Sequence, residues 1–262
     1  MYEFELTRPT TIADAAKALG QDEAQALGGG QTLIPTLKQR LAMPSTLVSL
    51  GAIAEMQGVC MSDAGEVCVG GATPHAVVAA EATAFPGLAA LAGQIGDPAV
   101  RNRGTVGGSL ANNDPSACYP AAALASGATI ITNTREIAAD DYFQGMFEAA
   151  LEEGEIITEV RFPVPEKSHY AKFVQPASRF ALVGVMVAKF ADGVRVAVTG
   201  ASEEGVHRWT AAEEALSANF SAEALADLTV PSDGLINDLH GSPDYRAHLV
   251  KVMTGRAVTA AT

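Results

Sequence analysis

Two stretches of this chain gather small residues and carry almost no acid–base groups. The first is Leu27-Gly28-Gly29-Gly30-Gln31-Thr32-Leu33-Ile34-Pro35. The second is Gly104-Thr105-Val106-Gly107-Gly108-Ser109, continued by Leu110-Ala111-Asn112-Asn113-Asp114-Pro115. Glycine accepts positive φ and lets a ligand approach the main chain closely. Successive exposed N–H groups in such a turn form a concave anion site. One such stretch alone reads as a surface loop between buried helices. Two in one fold suit a ligand with two linked phosphates.

The side chains that do chemistry unaided are not spaced to do it. His75, His169, His207, His240 and His248 are scattered, without metal-ligand spacing. There is no G-x-G-x-x-G after a strand, no P-loop, no H-E-x-x-H and no G-x-S-x-G. Asp140 and Asp141 read as the acidic start of a short helix. Cys60, Cys68 and Cys118 form no Cys-x-x-Cys. A disulfide framework is therefore not expected. An iron–sulfur cluster, which takes four thiolates, is not expected in this chain either. Each cysteine reads as a small buried hydrophobe. Anion loops without resident catalytic groups fit a protein whose cofactor performs the reaction.

Composition narrows the partners. The chain has 262 residues, 48% hydrophobic and 18% charged, with a net charge of −13. Such an acidic chain is not expected to bind nucleic acid, which needs a basic face. No apolar run approaches the roughly 18 residues of a membrane span. Nor is there a basic stretch followed by an apolar one at the start, so no secretory signal is read and the cytoplasm is the expected compartment.

The positioning elements can be read in order. Residues 3–7 read as a strand. Thr11 caps a helix with Ile12, Ala15, Ala16 and Leu19 on one face, ended by Gly20. After the first glycines, Leu33, Ile34, Leu37 and Leu41 recur at helical spacing, with Pro35 in the first turn. That loop thus opens a helix N-terminus, which favours a phosphate. Strands are expected at 45–50, 66–69, 128–132 and 155–162, and helices from Pro74, from Pro86 and at 119–125. Residues 163–168 are the linker candidate. Beyond it, 180–190 and 194–199 form a hairpin through Ala191-Asp192-Gly193. Helices at 210–218, 221–228 and 243–260 follow.

At this point a family resemblance emerges. Gly28-Gly29-Gly30-Gln31-Thr32-Leu33-Ile34-Pro35 resembles the "A-G-G-[HQ]-S-L-I-P" loop of the FAD-binding medium subunits of molybdenum hydroxylases, of the aerobic carbon monoxide dehydrogenase type and related to the flavin domain of xanthine dehydrogenase. Arg101-Asn102-Arg103-Gly104-Thr105-Val106-Gly107-Gly108-Ser109 is similar to that family's "R-N-x-G-T-[IV]-G-G-[SN]", and Asn112-Asn113-Asp114-Pro115 to its "A-N-x-D-P". Lys38, Arg40 and Leu41 match its "K-x-R-L". The resemblance implies an α+β FAD-binding fold of the p-cresol methylhydroxylase/vanillyl-alcohol oxidase type. Two α/β subdomains, about 1–55 and 56–166, would make an FAD-binding domain over 1–166. A domain with an antiparallel sheet and helices would occupy 167–262.

It further implies that FAD lies on Leu27, Gly28, Gly29, Gly30, Gln31, Thr32, Leu33 and Ile34 and on Gly104, Thr105, Val106, Gly107, Gly108 and Ser109. Asp114, Lys172 and Phe180 would add contacts, and no residue here would be catalytic. Cys118 stands where relatives carry an acidic residue on the ribose side, and Phe180 where many carry Tyr beside the isoalloxazine. A small subunit with iron–sulfur clusters and a large subunit with the molybdenum cofactor are the implied partners, in a dimer of heterotrimers. The implied function is electron transfer from those clusters through FAD to a quinone or other acceptor. The rival readings are a stand-alone flavin oxidase of the same fold and a flavin-free assembly or scaffold protein.

Overall fold

The computed structural model describes residues 1–261. The chain opens with β1 (Glu5–Thr7), α1 (Ile12–Leu19), β2 (Ala24–Leu27), α2 (Leu33–Lys38) and β3 (Thr46–Ser49). The strands form a parallel sheet in the order β1-β3-β2. Parallel neighbours need crossovers, here supplied by the two helices. As expected, the Thr11 hydroxyl caps α1 by accepting the N–H of Asp14. Helix α2 stops at Lys38, short of the Leu41 that its periodicity reached. Arg40 adopts φ +60°, a left-handed turn that cannot continue a helix, and Leu41 lies exposed.

Next come β4 (Val59–Met61), β5 (Val67–Gly70), α3 (His75–Glu81), α4 (Pro86–Gly93), α5 (Pro98–Arg101), α6 (Val106–Asn112) and α7 (Tyr119–Ser126). They are followed by β6 (Thr129–Thr132), β7 (Glu136–Ala138), α8 (Ala139–Tyr142), β8 (Phe143–Gly145), β9 (Glu148–Ala149) and β10 (Ile157–Phe162). Five strands pair antiparallel in the order β4-β5-β10-β6-β7. Val67, Val69, Ile130, Val160 and Phe162 point from this sheet into one cluster with Leu88, Leu91, Leu110 and Leu124 of the helices. The second glycine stretch is not an extended loop: from Val106 onward it is helix α6, with Thr105 as its N-cap.

The last unit holds β11 (Lys167–Val174), β12 (Ala181–Phe190), β13 (Gly193–Ser202), β14 (Gly205–Arg208), α9 (Thr210–Ala218) and α10 (Pro243–Ala260). Its sheet is antiparallel in chain order. Val183, Val185 and Val187 of β12 pack with Leu216 of α9 and with Leu249 and Met253 of α10. Met186 and Ala188 of the same strand join the middle cluster beside Tyr119 and Tyr170. The sheet is thus covered on both faces, so β12 reads as an unbroken apolar run rather than an alternating one. Lys167 and Ser168, read from sequence as linker, already belong to β11. The helix expected over 221–228 is a single tight turn, Ala222–Leu225.

Candidate functional site

A cleft of about 610 Å³ lies between the β2–α2 loop and the segment running from α5 into α6. That volume falls within the range of small-molecule and cofactor sites, about 300–1,000 Å³. One wall is Gly28, Gly29, Gly30, Gln31, Thr32 and Leu33. The facing wall is Gly104, Thr105, Gly107, Gly108 and Ser109, followed by Asp114 and Cys118. Lys172 of β11 and Phe180, just before β12, complete it. Three sequence candidates stand behind the wall instead. Val106 is fully buried in the middle core. Leu27 and Ile34 pack beside Gly30, where a Cβ would meet Ile34 Cγ1 at 2.9 Å and Leu27 Cδ1 at 3.3 Å.

The two walls differ in what their N–H groups do. Among the described residues, the main-chain N–H groups of residues 28–33 have no protein acceptor. Gln31 and Thr32 are exposed and the other four residues half-buried, and successive unpaired donors of this kind can meet acceptor oxygens. Gly30 adopts φ +71°, which turns the run into α2. In the second wall the donors of residues 106–109 are used. The Val106 N–H donates to Thr73 O (3.3 Å) and the Gly107 N–H to Gly71 O (2.9 Å). The Gly108 N–H donates to Thr105 Oγ1 (3.1 Å) and the Ser109 N–H to Thr105 O (3.0 Å). The first stretch thus leaves its donors unpaired, whereas the second, expected to form a similar nest, takes up those of residues 106–109 inside the protein. There, β5–α3 residues far away in sequence bring acceptors to the start of α6.

The glycines of the second wall serve close approach. A Cβ on Gly107 would come within 2.7 Å of Gly71 O, and one on Gly104 within 2.5 Å of His75 Nε2. Gly29 binds the two walls together, since its Cβ would overlap Arg103 O at 1.9 Å. What this wall offers a ligand is its small profile and the Ser109 hydroxyl, which has no hydrogen bond to the described residues.

Asp114 Oδ1 accepts the N–H of Ser116 (2.8 Å). Burial pushes its carboxyl above the usual range, and that hydrogen bond only partly offsets the shift. Cys118 is buried at the cleft wall. Lys172 Nζ donates to Gln94 O (3.2 Å) and so fixes the turn after α4. Phe180 is 49% exposed and lines the cleft.

Sequence reading passed over three wall residues. His75 is buried beneath Gly104, its Nδ1 unpartnered and its ring 5.2 Å from that of Tyr119. Burial, then the nearby Arg101, lowers its pKa to about 4, so it is neutral at pH 7. Glu155 is held by Arg135 Nε (3.0 Å) and by the hydroxyls of Thr132 (2.6 Å) and Thr134 (2.8 Å). The Arg135 hydrogen bond leads in lowering its carboxyl to about 2. Arg179, at φ +61°, lies at the mouth beside Phe180. Local sequence marks none of the three, because each is set by partners from other elements.

The cleft thus combines unpaired main-chain N–H groups with the exposed Phe180 side chain. Residues 2–165 match the family described as the FAD binding domain in molybdopterin dehydrogenase. The nicotine 6-hydroxylase medium subunit of Paenarthrobacter nicotinovorans is 34% identical, over 97% of this chain and 95% of that one. The carbon monoxide dehydrogenase medium chain of Afipia carboxidovorans is 33% identical, over 98% and 96%. A structure of reconstituted CO dehydrogenase from Oligotropha carboxidovorans superposes with a TM-score of 0.88 at 29% identity, covering 98% of this chain and 97% of that one.

Proposed function

The chain belongs to the FAD-binding subunits of the molybdenum hydroxylases, the carbon monoxide dehydrogenase medium-chain type, and from that membership we propose that the open N–H groups of residues 28–33 hold the diphosphate of FAD. The family is one of oxidoreductase subunits, and the fold is its α+β FAD-binding fold. Those unpaired donors are the observation that carries the reading. They provide dipoles aimed at oxygen without a fixed cation, which an acidic chain of net charge −13 needs in order to hold an anion.

The other residues take supporting roles. Ser109 and the glycines of the second wall let the diphosphate approach. Asp114 accepts from the ribose hydroxyls, a task for which Cys118 has no carboxylate. Phe180 stacks against the isoalloxazine without donating a hydrogen bond. Lys172, anchored on Gln94 O, stands at the pyrimidine edge. His75 stays neutral and supports Gly104 from below.

Bound FAD supplies a group that takes electrons singly and releases them in pairs. We infer that the electrons come from iron–sulfur clusters of a small partner subunit, after substrate oxidation on a large molybdenum subunit. They then pass to a quinone or another acceptor. Among the described residues no group of three His, Cys, Asp or Glu side chains could hold a metal ion. No helix among them is long and apolar enough to cross a membrane. A dimer of heterotrimers in the cytoplasm is the proposed assembly.

The test is an absorption spectrum of the purified chain after FAD addition and gel filtration, repeated on the native complex. Retained flavin bands in either sample support the reading. Colourless protein in both overturns it.

A further inference from the structure

We propose that Cys60 and Cys68 form a reversible disulfide across the β4–β5 hairpin, making this hairpin a peroxide-sensitive modification site. The inference is independent of the flavin reading. It rests on the register of the two strands, where Cys60 stands directly opposite Cys68. In an antiparallel ladder, directly opposed residues put their side chains on the same face. Flanking bonds identify the kind of pair. The Ser62 N–H donates to Glu66 O and the Gly70 N–H to Gly58 O, so the alternation makes Cys60 and Cys68 a hydrogen-bonded pair between them. Such pairs have Cα atoms about 5.5 Å apart, within the range a disulfide spans. Their Cβ atoms, at about 4.5–5.5 Å, are slightly wider than the about 3.5–4.5 Å of a relaxed bridge. The bond therefore closes with a small inward movement of β4. β4 is the edge strand of its sheet, with no strand paired on its outer side.

The two thiols have different environments, and this divides the labour. Cys60 is exposed and Cys68 is buried. Burial first, then the Glu159 carboxylate and the Cys60 thiol, push the Cys68 thiol up to about 11. Cys60 is thus the thiol that meets an oxidant and Cys68 the one that resolves it. With hydrogen peroxide as oxidant, the Cys60 thiolate attacks one peroxide oxygen. The O–O bond breaks, hydroxide leaves and takes a proton as water, and Cys60 becomes a sulfenic acid. The Cys68 sulfur then attacks the Cys60 sulfur. The S–O bond breaks, and the hydroxyl leaves with the Cys68 proton as a second water. Two thiols and one peroxide give one disulfide and two waters, with two electrons passed from sulfur to oxygen. A bridge formed at a slightly wide site, with one exposed sulfur, is of the labile kind that thiol reductants reopen.

The position gives the modification a route to the cleft. β5 runs directly into Gly70 and Gly71, and the Gly71 carbonyl accepts the N–H of Gly107 in the second wall. A Cβ on Gly70 would overlap Met56 O at 2.3 Å, so this corner is closely packed.

The experiment treats the full chain with hydrogen peroxide, blocks free thiols and digests after Glu residues. Glu66 lies between the two cysteines, so a Cys60–Cys68 bridge is read as two fragments that stay joined until dithiothreitol is added. The expected result is loss of two thiols per chain, a joined fragment pair and full recovery on reduction. In Cys68→Ser the joined pair disappears and Cys60 accumulates two or three oxygens. Cys60 sulfinate in the unsubstituted chain with Cys68 still free, or a bridge between two chains through Cys60, would overturn the proposal. Far-ultraviolet spectra of both proteins establish that each is folded.

Discussion

The two glycine-rich walls share a composition and differ in their wiring. In the first, the N–H groups of residues 28–33 have no acceptor among the described residues. In the second, the donors of Val106, Gly107, Gly108 and Ser109 are all used inside the protein. Glycines pack closely in both walls: a Cβ on Gly29 would meet Arg103 O and one on Gly107 would meet Gly71 O. Glycine content alone does not separate a binding loop from a packing loop. An inventory of where each N–H goes does.

Substitutions can break or sharpen that contrast. Gly29 is common to both walls, and Gly29→Ala sets a Cβ against Arg103 O and Gly104 Cα. It is expected to have the largest effect, lowering stability by more than about 3 kcal/mol and abolishing flavin retention. Urea unfolding and FAD titration read the two effects. Gly107→Ala is expected to destabilise the FAD-free chain by about 3 kcal/mol, through contact with Gly71 O. A change in FAD affinity with unaltered stability would instead make this wall a binding loop.

The second wall also predicts a pH dependence. Its Gly104 rests on His75, whose pKa is depressed from 6.5 to about 4 in the folded chain. The unfolded state therefore binds the proton first, and stability falls as pH drops from about 6.5 to about 4. The full effect is on the order of 3 kcal/mol. Glu155, lowered to about 2, adds a loss that begins below about 4.5 and continues toward about 2. Urea unfolding at pH 7 and pH 4.5 measures the His75 part, and His75→Gln should flatten it. An equally steep profile in that variant would assign the effect elsewhere.

The smallest effects come from a matched pair of threonines. Thr105 Oγ1 accepts the Gly108 N–H and caps α6, so Thr105→Ala should lower the stability of the FAD-free chain by about 1 kcal/mol. Thr32 makes no side-chain cap on α2, so Thr32→Ala should leave stability within about 0.5 kcal/mol. The same variant should weaken FAD binding about fivefold, the loss of one hydrogen bond. If the two variants behave alike, the contrast between the walls fails.

Much of the fold was legible because its signals are local. The Thr11 cap, the stop after Leu19, the 190–193 hairpin and the α10 span of Pro243–Ala260 each follow from residues within a few positions of one another. Elements whose reason lies elsewhere are not legible locally. The start of β11 reads as linker because its first residues, Lys167 and Ser168, carry no apolar pattern. Their strand identity comes from pairing with Lys189 and Ala188. The second wall reads as a loop because Thr105-Val106-Gly107-Gly108 has weak helix propensity. Its helix is held by the Thr105 cap and by the distant carbonyls of Gly71 and Thr73.

The two small-residue walls and their order are legible in the amino-acid sequence alone. Those follow from residue identity and short spacing, which do not change on folding. Only the tertiary structure decided which wall keeps open donors, that His75 lies neutral under Gly104, that β12 is buried on both faces, and that Cys60 faces Cys68. Each of these depends on a partner brought from another element. A hydrogen-bond acceptor, a desolvating neighbour or a strand register is a property of distances that the chain acquires only when it folds.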